Sequence, residues 1–192
     1  MNRLLYNPFE TIPDKKLLLT GIIGTVVFSL LAWLLNCRFA AYITVTPLFD
    51  VKIYEPLLDN IAGVLTATIV LFMTGLAVNK KTRFIDILNA AMIARLPFYL
   101  NIFDNINNYM ARQTEAIMAA QQHPDTMNPT AIAAVTAVAL AGLLLLVWMS
   151  ALLYNGFRVA ANTKKVWHIV LFVVAVLVAH FASGYVIYVL PY

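Results

Sequence analysis

Side chains able to carry chemistry are few and far apart in this chain of 192 residues. The lone cysteine, Cys37, allows no internal disulfide and no cysteine-based metal site. The three histidines, His123, His168 and His180, are too scattered for an HxxH or HExxH pair. No glycine-rich phosphate loop, GxSxG elbow or basic-aromatic cluster occurs. Phosphate-cradling, serine-nucleophile and nucleic-acid-binding classes drop out with them. The residues therefore predict no enzyme, no cofactor and no metal.

What remains is a cation in an apolar setting. Arg95 is the twelfth of twenty residues in Phe84–Phe103 (FIDILNAAMIARLPFYLNIF), which also holds Asp86, Asn89, Pro97 and Asn101. If that stretch crosses a bilayer, Arg95 lies near its centre, where a cation costs about 2.5–3.5 kcal/mol and faces a partner or water. Pairing the stretch with Leu57–Val78 as an antiparallel hairpin sets Arg95 level with Ala67, between Thr66 and Thr68. Counting outward along Val166–Leu190 brings it within about one turn of His180 and Ser183. The expectation is a polar cluster of Arg95, His180 and Thr66 or Thr68, with a neutral His180 accepting from the guanidinium. Pro97 removes a backbone donor, frees the Ile93 carbonyl and kinks the helix. Asp86, Asn89, Ile93, Pro97 and Asn101 share one stripe, and Arg95 points nearly opposite Asp86. Three readings follow: a central packing helix held by hydrogen bonds, a conduction or binding site, or a partner-binding surface.

The elements that would position this cluster follow from composition. Hydrophobic residues make up 62% of the chain, charged residues 11%, and mean hydropathy is +0.81. Soluble domains run nearer 45–50% apolar and about 25% charged, so lipid is the expected solvent. A span needs roughly 20 apolar residues, and five stretches qualify: 17–35, 57–78, 84–103, 130–154 and 166–190. The predicted fold is all-α, one integral membrane domain over 1–192. The first span exceeds a signal-peptide core and is followed by no A-x-A site, so it reads as a retained helix. The longest piece outside the spans, Asp104–Pro129, has 26 residues, too few for a soluble catalytic domain. Within it Ile106, Met110 and Ile117 suggest an interfacial helix over about 105–122.

Lys and Arg fix the expected orientation. Arg3, Lys15, Lys16, Lys80, Lys81, Arg83, Arg158, Lys164 and Lys165 fall on one side, against Arg38, Lys52 and Arg112 on the other. The positive-inside rule then puts the N-terminus in the cytoplasm and the C-terminus on the far side. Arg158, Lys164, Lys165, Lys80, Lys81 and Arg83 are candidate contacts for anionic headgroups. Trp33, Tyr42, Tyr54, Tyr99, Tyr109, Tyr185, Tyr188 and Tyr192 read as a far-side aromatic belt. Gly21, Thr25, Ser29 and Ala32, and Ala131, Ala134, Ala137, Ala141 and Gly142, form small-residue stripes suited to close helix contacts, within the chain or between copies. Expected partners are the lipid bilayer and either a second copy or another membrane protein. Short loops and the lack of a targeting peptide suit a bacterial inner membrane.

The turn written Leu153-Tyr154-Asn155-Gly156-Phe157-Arg158-Val159-Ala160, the Ala94-Arg95-Leu96-Pro97 stretch and the five-span layout resemble the prokaryotic branch of the Yip-domain family, named for Ypt/Rab-interacting proteins. The chain departs from the eukaryotic branch, having neither its long N-terminal region nor its Asp-Leu-Tyr-Gly-Pro motif. The resemblance implies a fold and topology more than an activity. It points to a non-enzymatic membrane-organising or protein-interaction role, with a small transporter or channel around Arg95 and His180 as the alternative.

Overall fold

Pro13 cannot continue a helix backwards, and Asp14 places an acid at the positive end of the helix it opens. The computed structural model describes residues 3–122 and 128–191; His123 and Tyr192 lie outside them. After a short turn α1 (Arg3–Tyr6) and a 3-10 turn (Pro8–Glu10) come α2 (Asp14–Leu34), strands β1 (Cys37–Ala41) and β2 (Thr44–Pro47), and α3 (Glu55–Val78). The chain continues through α4 (Phe84–Phe98), a 3-10 segment (Tyr99–Asn108), α5 (Tyr109–Gln122), α6 (Pro129–Ala161) and α7 (Trp167–Val189). Five helical stretches are long and apolar enough to cross a membrane: α2, α3, α6, α7 and the run that begins with α4.

The helix α4 is the centre. It packs on α2, α3 and α6, while α7 packs on α3. Ile87, Asn89 to Arg95, Pro97 and Phe98 are all buried, so a helix with polar residues all along it is enclosed by apolar neighbours. Pro97 stays inside α4, and the helix tightens to 3-10 geometry two residues later. Small residues set the close contacts. A Cβ on Gly21 would meet Met92 Cβ at 2.8 Å, so the Gly21, Thr25, Ser29 and Ala32 stripe is spent on packing inside the chain. The α6 stripe behaves otherwise: Ala131 is buried, but Ala137 and Ala141 are exposed.

Three features differ from the sequence expectation or add to it. The fourth helix does not end at Tyr154 but runs to Ala161, where Asn162 caps it in the left-handed conformation (φ 49°). Asn155-Gly156 has the form of a turn, yet Gly156 is selected by packing, since a Cβ there would lie 2.5 Å from Ala90 Cβ and 3.1 Å from the Phe9 ring. Gly156→Val is therefore expected to destabilise the α4–α6 contact by about 1–3 kcal/mol, despite the loss of a flexible glycine from the helix. A thermal melt of the variant in detergent checks this, with a lowered midpoint expected. The helix expected over 105–122 begins at Tyr109, because Asn105, Ile106 and Asn107 leave helical geometry.

The third is a β-hairpin set into a chain that is otherwise helical, as expected. Its strands pair antiparallel, Cys37 with Pro47 and Ala41 with Thr44. Along β1, Cys37, Phe39 and Ala41 face inward. An isolated two-stranded hairpin is marginal in water; this one rests on α2, α3 and α7. Asn105 ties it down: its Nδ2 lies 2.8 Å from the Leu35 carbonyl and 3.2 Å from those of Asn36 and Leu48, and its Oδ1 accepts from the Ala111 N–H at 2.9 Å.

Candidate functional site

Arg95 is wholly buried (0% exposed) beneath the hairpin. Its Nη1 donates to Asn60 Oδ1 at 2.6 Å, and the Tyr99 hydroxyl donates to the same oxygen at 2.7 Å. Asn60 in turn donates from Nδ2 to Ser29 Oγ at 3.0 Å, and Ser29 donates to the Thr25 carbonyl at 2.7 Å. A single amide on α3 thus links α4 to α2. The guanidinium carbon lies 5.2 Å from the Phe39 ring centre, 5.1 Å from Tyr42 and 5.3 Å from Tyr99. Three negative ring faces surround one positive charge, each within the range where a cation is attracted to the ring. Gly63 makes room for it, since a Cβ there would sit 3.4 Å from Nη1.

The hairpin supplies two of the three rings and is locked to the bundle at its turn. The Tyr42 N–H donates to Ser183 Oγ at 2.8 Å, and its hydroxyl donates to the Ala91 carbonyl at 2.9 Å. Burial pushes the Tyr42 phenol above its ordinary range, against the downward pull of the Arg95 charge, so the phenol stays protonated as a donor. Beside this centre, Arg38 on β1 reaches Asp59 on α3 with Nε and Nη2 at 2.9 and 2.8 Å, a two-point grip on a carboxylate that is 0% exposed.

The sequence-predicted cluster is rearranged. Arg95 does not meet His180, Thr66 or Thr68; among the described residues its one hydrogen-bond acceptor is Asn60. Thr68 donates back to the Val64 carbonyl of its own helix, and Thr66 is half-buried. His180 has a buried Nδ1 that finds no hydrogen-bond partner. Its backbone carbonyl accepts from Ser183, leaving it one step removed from the Tyr42 anchor. The depth match fails because a long guanidinium carries its charge well away from its own Cα. Asn89 belongs to the opposite end of α4, where it donates to the Asp14 carbonyl near the Arg83 pairs with Asp14 and Asp86. Pro97 is buried beside Arg95 but offers no group to it.

Asn60, Tyr99, Tyr42 and Phe39 are the members that sequence reasoning missed. Tyr42 and Tyr99, read as belt aromatics, are both fully buried, whereas Tyr185 and Tyr188 are exposed. The available signals were the Asn next to Asp59 in an apolar span and the β-branched run Ile43-Thr44-Val45-Thr46. At the basic end, Lys80, Lys81, Lys164 and Lys165 are exposed and form no ion pair among the described residues. Arg83 is held by Asp14 at 2.6 Å, and Arg158 lies 3.7 Å from Glu10.

Cys37 reports on hairpin closure. It is 1% exposed, and its thiol is pushed up to about 12, mainly by burial and further by the Asp104 carboxylate. At pH 8 the folded protein then holds about a thousandfold less thiolate than a thiol at the ordinary value, and only thiolate reacts. Maleimide labelling is expected to be at least about a hundredfold slower than after denaturation, and to stay slow until the pH approaches the raised value.

Among the described residues, the Arg95 guanidinium thus meets one amide oxygen and three aromatic ring faces. Comparison with family models, curated proteins and solved structures gives no match for the chain.

Proposed function

We propose that the chain is a non-enzymatic integral membrane protein of the Yip-domain type, with its N-terminus in the cytoplasm of a bacterial cell, that organises membrane or holds a protein partner. The observation that carries this reading is the complete enclosure of Arg95: an intramembrane cation in a conduction path faces water, and this one faces three rings and an amide. The centre then serves as a fixed joint between α2, α3, α4 and the hairpin. Working surfaces are left at the exposed lysines of the basic end, suited to anionic headgroups, and along the uncovered part of α6.

One observation favours the transport alternative: Arg95 Nε and Nη2 are buried with no acceptor. An anion could satisfy them only if the hairpin lifted. Reconstitution into vesicles separates the two readings. A structural centre gives chloride and proton fluxes at the level of empty vesicles, together with a cross-linked oligomer or partner in native membranes. Flux that Arg95→Ala abolishes overturns the structural reading. Cysteine labelling of the Thr163–Lys165 turn and the N-terminal tail is expected to place both on the same side.

A further inference from the structure

A cavity of about 360 Å³ lies between the hairpin, the 3-10 segment and the outer half of α6. It falls within the size range of sites that hold small molecules, about 300–1,000 Å³, and has room for roughly a dozen groups of about 30 Å³ each. Val138, Leu143 and Leu146 on α6 form an apolar wall, faced by the polar residues Asn101, Asp104 and Thr114. Those groups form a consistent pattern. Asn101 spends its Nδ2 on the Phe98 carbonyl at 2.8 Å, which leaves its Oδ1 as an acceptor. Gly142 lets that oxygen approach α6, since a Cβ there would be 3.1 Å from it. Asp104 is half-buried and makes no hydrogen bond or ion pair among the described residues. Among the described residues it is the one charged side chain in the lining, to which they contribute no Lys, Arg or His.

We infer that this cavity binds an amphiphile with an ammonium head, its nitrogen at Asp104 and Asn101 Oδ1 and its alkyl chain along α6. An anion would meet a carboxylate and no cation. A neutral hydrocarbon would leave the Asp104 charge partly dehydrated and unanswered. An alkylammonium brings the opposite charge, three N–H donors and apolar length, one for each feature of the wall. The inference is independent of the organising role proposed above, because it uses neither Arg95 nor a protein partner.

The test uses the full-length protein in phosphatidylcholine nanodiscs and a diazirine-bearing alkylamine as photolabel. Adducts are expected between positions 135 and 146 of α6, competed by dodecylammonium and not by dodecyl sulfate. Asp104→Asn is expected to weaken labelling tenfold or more, while Asp104→Glu retains it. Nanodiscs containing phosphatidylethanolamine distinguish the sources: loss of labelling there identifies a lipid headgroup as the ligand, and unchanged labelling identifies a free amine. Equal competition by dodecyl sulfate overturns the inference in the wild-type protein alone, whether or not the variants fold. Undiminished labelling of a folded Asp104→Asn protein does the same.

Discussion

Asn60→Leu is expected to destabilise the protein by about 3–5 kcal/mol, more than Arg95→Met at the heart of the same cluster. The asymmetry follows from which group is left behind. Removing the amide strips Arg95 of its hydrogen-bond acceptor and the Tyr99 hydroxyl of its own, deep in the bundle. A buried charge deprived of its partner is among the costliest single changes, at about 3–5 kcal/mol. Replacing the arginine by an apolar side chain of similar length removes the charge along with its demands. The Asn60 oxygen keeps Tyr99 and its Nδ2 keeps Ser29, so the loss is confined to the contact with three rings. That loss is offset by relief of two donor nitrogens that have no acceptor, and exchanging buried ionic groups for packed apolar ones is often near neutral. The double variant Asn60→Leu/Arg95→Met should recover most of the stability lost in Asn60→Leu. Chemical denaturation of the four proteins in one detergent gives the cycle. Additive losses would show that the amide does not act through the guanidinium.

Arg38→Ala is expected to release the hairpin, with a loss of about 3 kcal/mol. The two-point bond to Asp59 joins β1 to α3, and Glu55, one turn earlier on α3, lies 4.0 Å from the same guanidinium. Removing Arg38 takes away the cation shared by two carboxylates that are 0% and 8% exposed. Their mutual repulsion then acts directly beneath the strand. The readout is Cys37, next to Arg38 and buried while the hairpin is seated: its labelling rate should rise by at least about tenfold in Arg38→Ala, since opening replaces a buried thiol with an accessible one. Asp59→Asn in the Arg38→Ala background should restore part of the protection, because it removes one of the two charges left facing each other. Unchanged labelling in Arg38→Ala would show that the strand is held by its apolar face alone.

The sequence made the five apolar stretches legible, because nothing but a long uncharged run explains segments such as Leu17–Leu35. It also marked the buried face of α2, since Gly21, Thr25, Ser29 and Ala32 recur at helical spacing and small residues permit close approach. Arg95 stood out for the same reason, as a charge where charges are expensive. Its surroundings did not. Depth matching compares helices as parallel rods, and half of the cage comes from a hairpin that folds back between α2 and α3, which no helical register contains. Tyr42 and Tyr99 fit the average depth of belt aromatics, so only the tertiary fold reveals that they turn inward. Asn155-Gly156 shows the opposite failure: a local turn signal was overruled by the α4–α6 contact, where only glycine fits.

Solvent contact at the Arg95 guanidinium tests the account most directly. The chain has six arginines, so arginine-selective ¹⁵N labelling in nanodiscs gives a spectrum simple enough for the Arg95→Met variant to identify the Arg95 Nε–H. A sealed cage predicts an Nε–H signal that exchanges with water far more slowly than those of the exposed Arg83 and Arg158. Exchange at the rate of those surface arginines would mean that water reaches Arg95, and the centre would then be an accessible site instead of a structural joint.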